Sequence, residues 1–258
     1  MTTNIRLLDV LVLLVFSLAL PGWADAYFSI YEAYIGEIQL FALSFCPAGT
    51  VETDGRSSGI PDLRKSVPQP GMRYCVNQAG VSPQSSKDHS NGGYLGQILL
   101  LVGGSCPADY VEPDGRQLVS NDFQALYSLL GHTFGGVTYR TFTLPKLSPP
   151  APVTRYCFSI NAINGVYPPI YQGYHSYRDI VEFNAGQLLL LPYRCPAGTV
   201  EADGRVMPLQ ENPMLYSLLG HTFGGDGRYT FAVPDLRRAT PQGMHYCLVT
   251  AGSFPQRP

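Results

Sequence analysis

The residues best suited to chemistry in this 258-residue chain are its six cysteines. None of them forms a Cys-x-x-Cys pair, the close spacing typical of metal-binding cysteines. An even number of well-separated cysteines is typical of disulfides in exported proteins, because an oxidising compartment lets disulfides persist. The pattern therefore predicts disulfides rather than a metal centre. The six are Cys46, Cys75, Cys106, Cys157, Cys195 and Cys247.

The first 26 residues have the pattern of a secretory signal peptide. Arg6 precedes an apolar run over 10–20, and Ala24-Asp25-Ala26 supplies the small-x-small cleavage pattern. The pattern predicts cleavage after Ala26 and a secreted or cell-surface protein, with the periplasm as a further compartment. A membrane anchor is the alternative, but the run is shorter than the roughly 20 residues that span a bilayer. No membrane span is expected after cleavage.

The cysteines bracket three copies of one sequence pattern, which is the strongest signal in the chain. Each copy opens with a Gly-x-Ile or Gly-x-Leu stretch, continues through Cys-Pro-Ala and Asp-Gly-Arg, and closes with Tyr-Cys. The Asp-Gly-Arg triplets begin at Asp54, Asp114 and Asp203, eight residues after a cysteine each time. Among the pairings that six cysteines allow, this order favours Cys46–Cys75, Cys106–Cys157 and Cys195–Cys247.

Copies two and three also share a block that copy one lacks. The block spans 126–136 in copy two and 215–225 in copy three, with the sequence Leu-Tyr-Ser-Leu-Leu-Gly-His-Thr-Phe-Gly-Gly. It predicts a helix of about two turns in each copy. Gly131 and Gly220 are expected to end these helices, since glycine is common just past a helix C-terminus. Copy one is therefore a trimmed version of the repeat.

The starts of the two helices are predicted from polar residues ahead of the apolar block. Asn121 or Asp122 is expected to cap the first helix. Asn212 is expected to cap the second, with Pro213 at the first helical position, where its missing N–H costs nothing.

Composition and repeats together predict a mainly β protein with short helices, a β-rich α+β fold of three tandem small domains with one disulfide each. The 27 glycines and 22 prolines favour short strands and many turns over long helices. Units this small bury little surface, so a disulfide in each is expected to be needed for stability. The predicted segments are a signal peptide (1–26), trimmed repeat 1 (27–80), a flexible linker (81–93), repeat 2 (94–164), a Tyr/Pro-rich linker (165–181) and repeat 3 (182–258).

Two kinds of charged or titratable motif are interpreted first as structural. The Asp-Gly-Arg triplets predict tight turns, because glycine tolerates the positive φ that such turns need. An integrin-like or sugar-binding loop is the alternative for these triplets and for the Pro-Asp-Leu-Arg segments. We expect Asp54 to form an ion pair with Arg64, and Asp203 with Arg237. His132 and His221 follow the helix-ending glycines, where a histidine interacts favourably with the helix C-terminus.

Copy three resembles the phage tail-collar domain, found in short tail fibre tips and microcystin-dependent proteins. The resemblance lies in Pro196-Ala197-Gly198, Asp203-Gly204, the 215–220 helix, the 223–227 loop, Phe231 and the segment 234–237. Copies one and two match in part. The resemblance implies a collar-like fold and a structural role, and metal binding at His132 and His221 as an alternative, since some fibre tips hold metal through histidine.

This sequence departs from the family pattern at identifiable positions. The tryptophan that usually follows Pro-x-Gly is replaced by Thr50, Tyr110 and Thr199. Copy two has Lys146-Leu147-Ser148 where Asp-Leu-Arg is expected. The bracketing cysteines are an addition suited to an exported protein.

Enzyme chemistry is not indicated by any motif. The chain has no Gly-x-Ser-x-Gly, His-Glu-x-x-His, P-loop or dinucleotide fingerprint, so no catalytic residue and no cofactor is expected. A formal net charge of −2 does not favour nucleic acid binding. We predict an exported, non-enzymatic structural or adhesive protein that binds itself, as a homo-oligomer or filament, or a cell-surface glycan or protein. The alternatives are a filament subunit assembled by strand addition and a secreted enzyme.

Overall fold

The computed structural model describes residues 29–30, 33–78, 80, 93–102, 105–107, 109–160, 166–168 and 181–257. The predicted signal peptide and linker 81–93, apart from Gly93, lie outside the described residues, as does most of the Tyr/Pro-rich linker. The described chain is mainly β with two short helices, which confirms the predicted fold class. Neither of these helices has the length and apolar character needed to cross a membrane.

Each copy of the repeat contributes three antiparallel strands to one nine-stranded sheet. We call the copies units 1, 2 and 3. In every unit the closing strand, which carries the second cysteine, lies between the opening strand and a short outer strand. The opening, outer and closing strands of unit 1 are β2 (Glu37–Phe41), β3 (Thr50–Glu52) and β4 (Arg73–Asn77). Those of unit 2 are β5 (Ile98–Val102), β6 (Tyr110–Val111) and β10 (Thr154–Ser159). Those of unit 3 are β12 (Gln187–Leu191), β13 (Thr199–Glu201) and β16 (His245–Val249).

Units 2 and 3 each carry an additional lobe between the outer and closing strands. Lobe 2 (117–147) contains β7 (Gln117–Val119), α1 (Gln124–Leu130), β8 (Gly136–Val137) and β9 (Thr141–Thr143). Lobe 3 (206–236) contains β14 (Val206–Pro208), α2 (Pro213–Leu219) and β15 (Thr230–Ala232). Separately, β1 (Ser29–Ile30) pairs in parallel with β11 (Val181–Glu182). Each helix begins two residues before the shared block that unit 1 lacks and ends inside it, which confirms the predicted short helices.

The three opening strands pair with one another in a closed ring. The first half of β2 pairs with the second half of β5, the first half of β12 with the second half of β2, and the first half of β5 with β12 at Leu190. Each opening strand pairs with one of the other two through its first half and with the other through its second half. The arrangement therefore has approximate threefold symmetry. The units therefore follow one another along the chain but are joined edge to edge at the centre.

Alternate apolar side chains of the opening strands fill the centre of this ring, since residues two apart share a face of a strand. A cavity of only about 40 Å³ remains there. Burial raises the pKa of the phenols of Tyr74, Tyr156 and Tyr246, which line the same cavity. The other lining residues are Ile38, Leu40, Ile98, Leu100, Leu188 and Leu190. One hydrophobic core thus spans all three units.

A buried polar side chain follows the turn that begins each opening strand. Glu37 accepts the backbone N–H of Tyr34 at 3.0 Å, and Gln97 accepts that of Tyr94 at 3.0 Å. In unit 3, Gln187 accepts the N–H of Asn184 at 3.3 Å. Because these groups are buried, the side chains satisfy amides that would otherwise be costly to desolvate.

Candidate binding surface

One disulfide in each unit holds the closing strand of that unit. They join Cys46 to Cys75, Cys106 to Cys157 and Cys195 to Cys247, the pairs that the repeats favour. The second cysteine of each pair is fully buried in a closing strand. Each bridge therefore ties the loop after an opening strand to the neighbouring strand of the same unit.

The Asp-Gly-Arg triplets form turns in which the aspartate binds the arginine two residues later. The Asp–Arg distances are 3.2 Å in unit 1, 2.7 Å in unit 2 and 2.6 Å in unit 3. The central glycines have positive φ values of 74°, 84° and 79°. The Arg116 guanidinium holds the pKa of Asp114 at about 2. These pairs are exposed, so each adds little stability and mainly fixes the shape of its turn.

The predicted pairs Asp54–Arg64 and Asp203–Arg237 form no direct salt bridge in the described chain. Arg64 instead binds Asp62 at 2.7 Å, and Arg237 binds Asp235 at 2.6 Å. Isolated β-bridges place Asp54 opposite Asp62 and Asp203 opposite Asp235. The predicted partners are therefore on facing segments, and each arginine takes the nearer carboxylate on its own segment.

The helix ends agree with the predictions at the C-termini and differ at the N-termini. Gly131 and Gly220 end the helices at φ 51° and 56°. The residue at the start of α1 is Phe123, so neither Asn121 nor Asp122 occupies the cap position. Asn212 does occupy the cap of α2, but its amide donates to the carbonyl of Pro208 at 3.1 Å and caps no helical N–H.

The two histidines do not come together with other potential ligands into a metal cluster in the described part of the chain. The Nε2 atom of His132 lies 3.1 Å from the hydroxyl of Tyr127, and the two rings pack edge to face. His221 lies against Gly227: its Nδ1 atom is 3.6 Å from the position that a Cβ on Gly227 would occupy. Both histidines are exposed, and the contacts described here are with residues of their own lobes.

The tips of the two lobes expose aromatic side chains beside arginines. Tyr139 is 81% exposed and has a positive φ of 59°, which is uncommon for a residue other than glycine. Tyr229 is 59% exposed, and the guanidinium of Arg228 lies 5.0 Å from the centre of its ring. In lobe 2 the order is reversed, and the exposed Arg140 follows Tyr139. Each tip thus offers a tyrosine and an arginine to solvent, the residue types that dominate binding energy at interfaces.

One carboxylate organises the tip of lobe 3. The Oδ1 atom of Asp226 accepts the backbone N–H groups of Arg228, Tyr229 and Thr230 at 2.9, 2.8 and 2.7 Å. These bonds lower the pKa of Asp226 from 3.8 to about 2. In lobe 2 the corresponding residue is Val137.

This depressed pKa predicts a local acid transition at the lobe 3 tip. The ionised Asp226 carboxylate is a better hydrogen-bond acceptor than the protonated carboxylic acid. The loop is therefore stabilised above pH 3.8 and loses that stabilisation as the pH falls through about 2. The amide resonances of Tyr229 and Thr230 should titrate with an apparent pKa near 2 in NMR spectra. Asp226→Asn should abolish this titration, and a midpoint near 3.8 in the wild type would contradict the loop geometry.

Lobes also pack on the next unit around the ring. A Cβ on Gly71 of unit 1 would lie 2.6 Å from Thr222 of lobe 3, and one on Gly243 of unit 3 would lie 2.9 Å from Thr133 of lobe 2. Unit 2 has Val153 at the same place, where it is 53% exposed. Unit 1 has no lobe, so nothing requires a glycine there.

Comparison with protein-family models gives two matches to the phage tail collar domain, at residues 96–152 and 186–241. The matched segments cover the opening strand, outer strand and lobe of units 2 and 3. Unit 1 lies outside both segments. No curated protein and no solved structure gave a match to the chain. The segments that carry the two lobes are therefore similar to the phage tail collar domain.

Proposed function

We propose that this chain is an exported, non-enzymatic adhesive protein that binds a cell-surface glycan or protein through its two lobe tips. The two segments similar to the phage tail collar domain support a structural role of the phage tail fibre kind. The exposed tyrosine–arginine pair on each tip is the observation that carries the proposal. Contacts made by such residues supply affinity without any catalytic group.

The tips are suited to binding because they are held in place before a partner arrives. Asp226 fixes the tip of lobe 3 through three backbone hydrogen bonds. In lobe 2 the backbone N–H of Tyr139 lies 3.4 Å from the hydroxyl of Tyr127, which belongs to α1. A loop that is already ordered loses less entropy on binding.

The adhesion proposal is tested by alanine substitution at both tips. Tyr139→Ala with Tyr229→Ala should reduce retention of the purified protein on cells by at least about tenfold, as expected when interface anchors are lost. Phe254→Ala is the matched control. Phe254 is an aromatic residue that is 49% exposed, but it lies in the C-terminal segment and not at a lobe tip. Equal retention of wild type and double variant, with unchanged thermal unfolding, would contradict the proposal.

Export is the second part of the proposal. Three disulfides suit an oxidising compartment, and the N-terminal residues have the signal pattern. The mature protein should begin at Tyr27 by N-terminal sequencing. It should also lack tryptophan emission, because Trp23 is the only tryptophan in the sequence. Retention of Trp23 in the extracellular protein would contradict cleavage after Ala26.

A filament subunit is the second candidate. The observation that favours it is the small parallel pairing of β1 with β11, which stands apart from the nine-stranded sheet. Exchange of β1 between neighbouring molecules would link them through main-chain hydrogen bonds. Electron microscopy of the secreted protein decides this point: fibres support strand exchange, and single particles alone contradict it.

A further inference from the structure

A cleft of about 510 Å³ opens between lobe 2 and the closing segment of unit 3. Lobe 2 contributes Phe134, Thr143 and Lys146 to its wall, and unit 3 contributes Pro241 and Gln242. This volume is within the range of small-ligand sites, roughly 300–1,000 Å³. Neither Tyr139 nor Tyr229 lines this cleft.

The equivalent interface between lobe 3 and unit 1 contains a contact that this cleft lacks. There the side-chain oxygen of Gln69 accepts the backbone N–H of Asp235 at 2.9 Å. Pro241 occupies the place of Gln69, two residues before the turn glycine that units 1 and 3 share, and Lys146 occupies the place of Asp235. Proline has no side-chain acceptor, so Pro241 cannot make the contact that Gln69 makes.

The charge at this position is also reversed. Asp235 and Asp62 are each paired with an arginine two residues later, which makes those positions neutral. In unit 2 the corresponding residues are Lys146 and Ser148. Lys146 makes no salt bridge with any residue that the structure describes, and the nearby Arg116 is neutralised by Asp114 at 2.7 Å. The cleft therefore carries one uncompensated positive charge.

The remaining walls offer both apolar surface and hydrogen-bonding groups. The half-buried ring of Phe134 and the ring of Pro241 are apolar, and Thr143 and Gln242 supply a hydroxyl and an amide. A saccharide presents C–H faces and hydroxyl groups to such walls, and a uronate adds one carboxylate. We infer that this cleft binds a carboxylate-bearing saccharide, with the ammonium of Lys146 paired to the carboxylate. This inference deepens the proposed adhesive function and rests on it for its biological role.

The test uses the whole secreted protein and a glucuronate-containing disaccharide, with the neutral glucose disaccharide as the comparison ligand. Isothermal titration should show that the uronate disaccharide binds at least about tenfold more tightly, since a charge-assisted hydrogen bond contributes on that scale. Lys146→Asp should remove this preference. Lys65→Asp is the matched control, because Lys65 is also an exposed lysine but lies in unit 1, outside the cleft.

A second variant tests the shape of the site independently of charge. Pro241→Gln introduces at position 241 the glutamine that unit 1 has at the equivalent position 69. Its side chain can then accept a hydrogen bond from the backbone N–H of Lys146 and close the cleft. Binding of the disaccharide should fall by at least about tenfold while the thermal unfolding midpoint stays the same or rises. Undiminished binding in both variants, absence of binding in the wild type, or equally tight binding of inorganic phosphate would each overturn the inference.

The cell-retention assay separates this inference from the proposed function. If the disaccharide binds through Lys146 but the wild-type protein is not retained on cells, the inferred saccharide site is supported and the adhesive function is contradicted. If cells retain the wild type and the disaccharide does not bind, adhesion stands and the cleft inference falls.

Discussion

Replacing both Cys106 and Cys157 with alanine is expected to lower the free energy of unfolding by about 4 kcal/mol. The bridge closes a loop with a sequence separation of 51 residues, and its loss enlarges the conformational freedom of the unfolded chain. Cys157 is fully buried, and alanine leaves no unpaired polar group in its place. Urea unfolding of the variant and the wild type, both without reductant, measures the difference.

The bridge of unit 1 provides the matched comparison. Its sequence separation is 29, so replacing Cys46 and Cys75 with alanine should cost about 0.5 kcal/mol less than the unit 2 variant. Non-reducing peptide mapping should recover three bridges, each within one unit. Free thiols in the native protein, or bridges between units, would contradict both expectations.

Leu100→Ala is expected to destabilise all three units together, by about 2–5 kcal/mol. Leu100 is buried in β5, pairs with Ile38 of unit 1, and lines the central cavity beside side chains of unit 3. Truncation enlarges a cavity that the ring of opening strands cannot easily collapse, because each strand is fixed by hydrogen bonds on both edges. Denaturant unfolding gives the size of the loss.

Hydrogen exchange of the closing strands distinguishes a shared core from three independent domains. With a shared core, protection in β4, β10 and β16 should fall by the same free energy, since all three depend on the ring. Val137→Ala is the control, because Val137 is 54% exposed and such substitutions usually change stability by less than about 0.5 kcal/mol. Loss of protection in β10 alone would show that the units unfold separately.

Local features of the molecule could be predicted from the sequence because they depend on neighbouring residues. The glycines of the Asp-Gly-Arg turns adopt the positive φ expected of them, and Gly131 and Gly220 end the two helices. The cysteine pairs also follow from order, since the repeats place both members of each pair in one unit. These inferences needed only short-range conformational preferences and the internal repeat.

The partners of charged and polar side chains depended on geometry that the sequence does not show. The expected Asp203–Arg237 pair is replaced by Asp235–Arg237 because a β-bridge sets the two segments face to face. Asn212 lies at the predicted cap, yet its amide turns back to Pro208. A small difference in side-chain direction decides such contacts, and it follows from the packed backbone.

By itself the sequence determined three copies of one disulfide-closed, turn-rich unit, two of them with a short helix. Only the tertiary structure decided that the opening strands join in a ring, since strand edges carry the same backbone groups whatever their sequence. The ring brings Pro241 beside Lys146, which are far apart along the chain, and so creates the cleft. The same ring leaves Val153 uncovered where unit 1 has no lobe. Both features arise from contacts between units, which no single copy of the repeat contains.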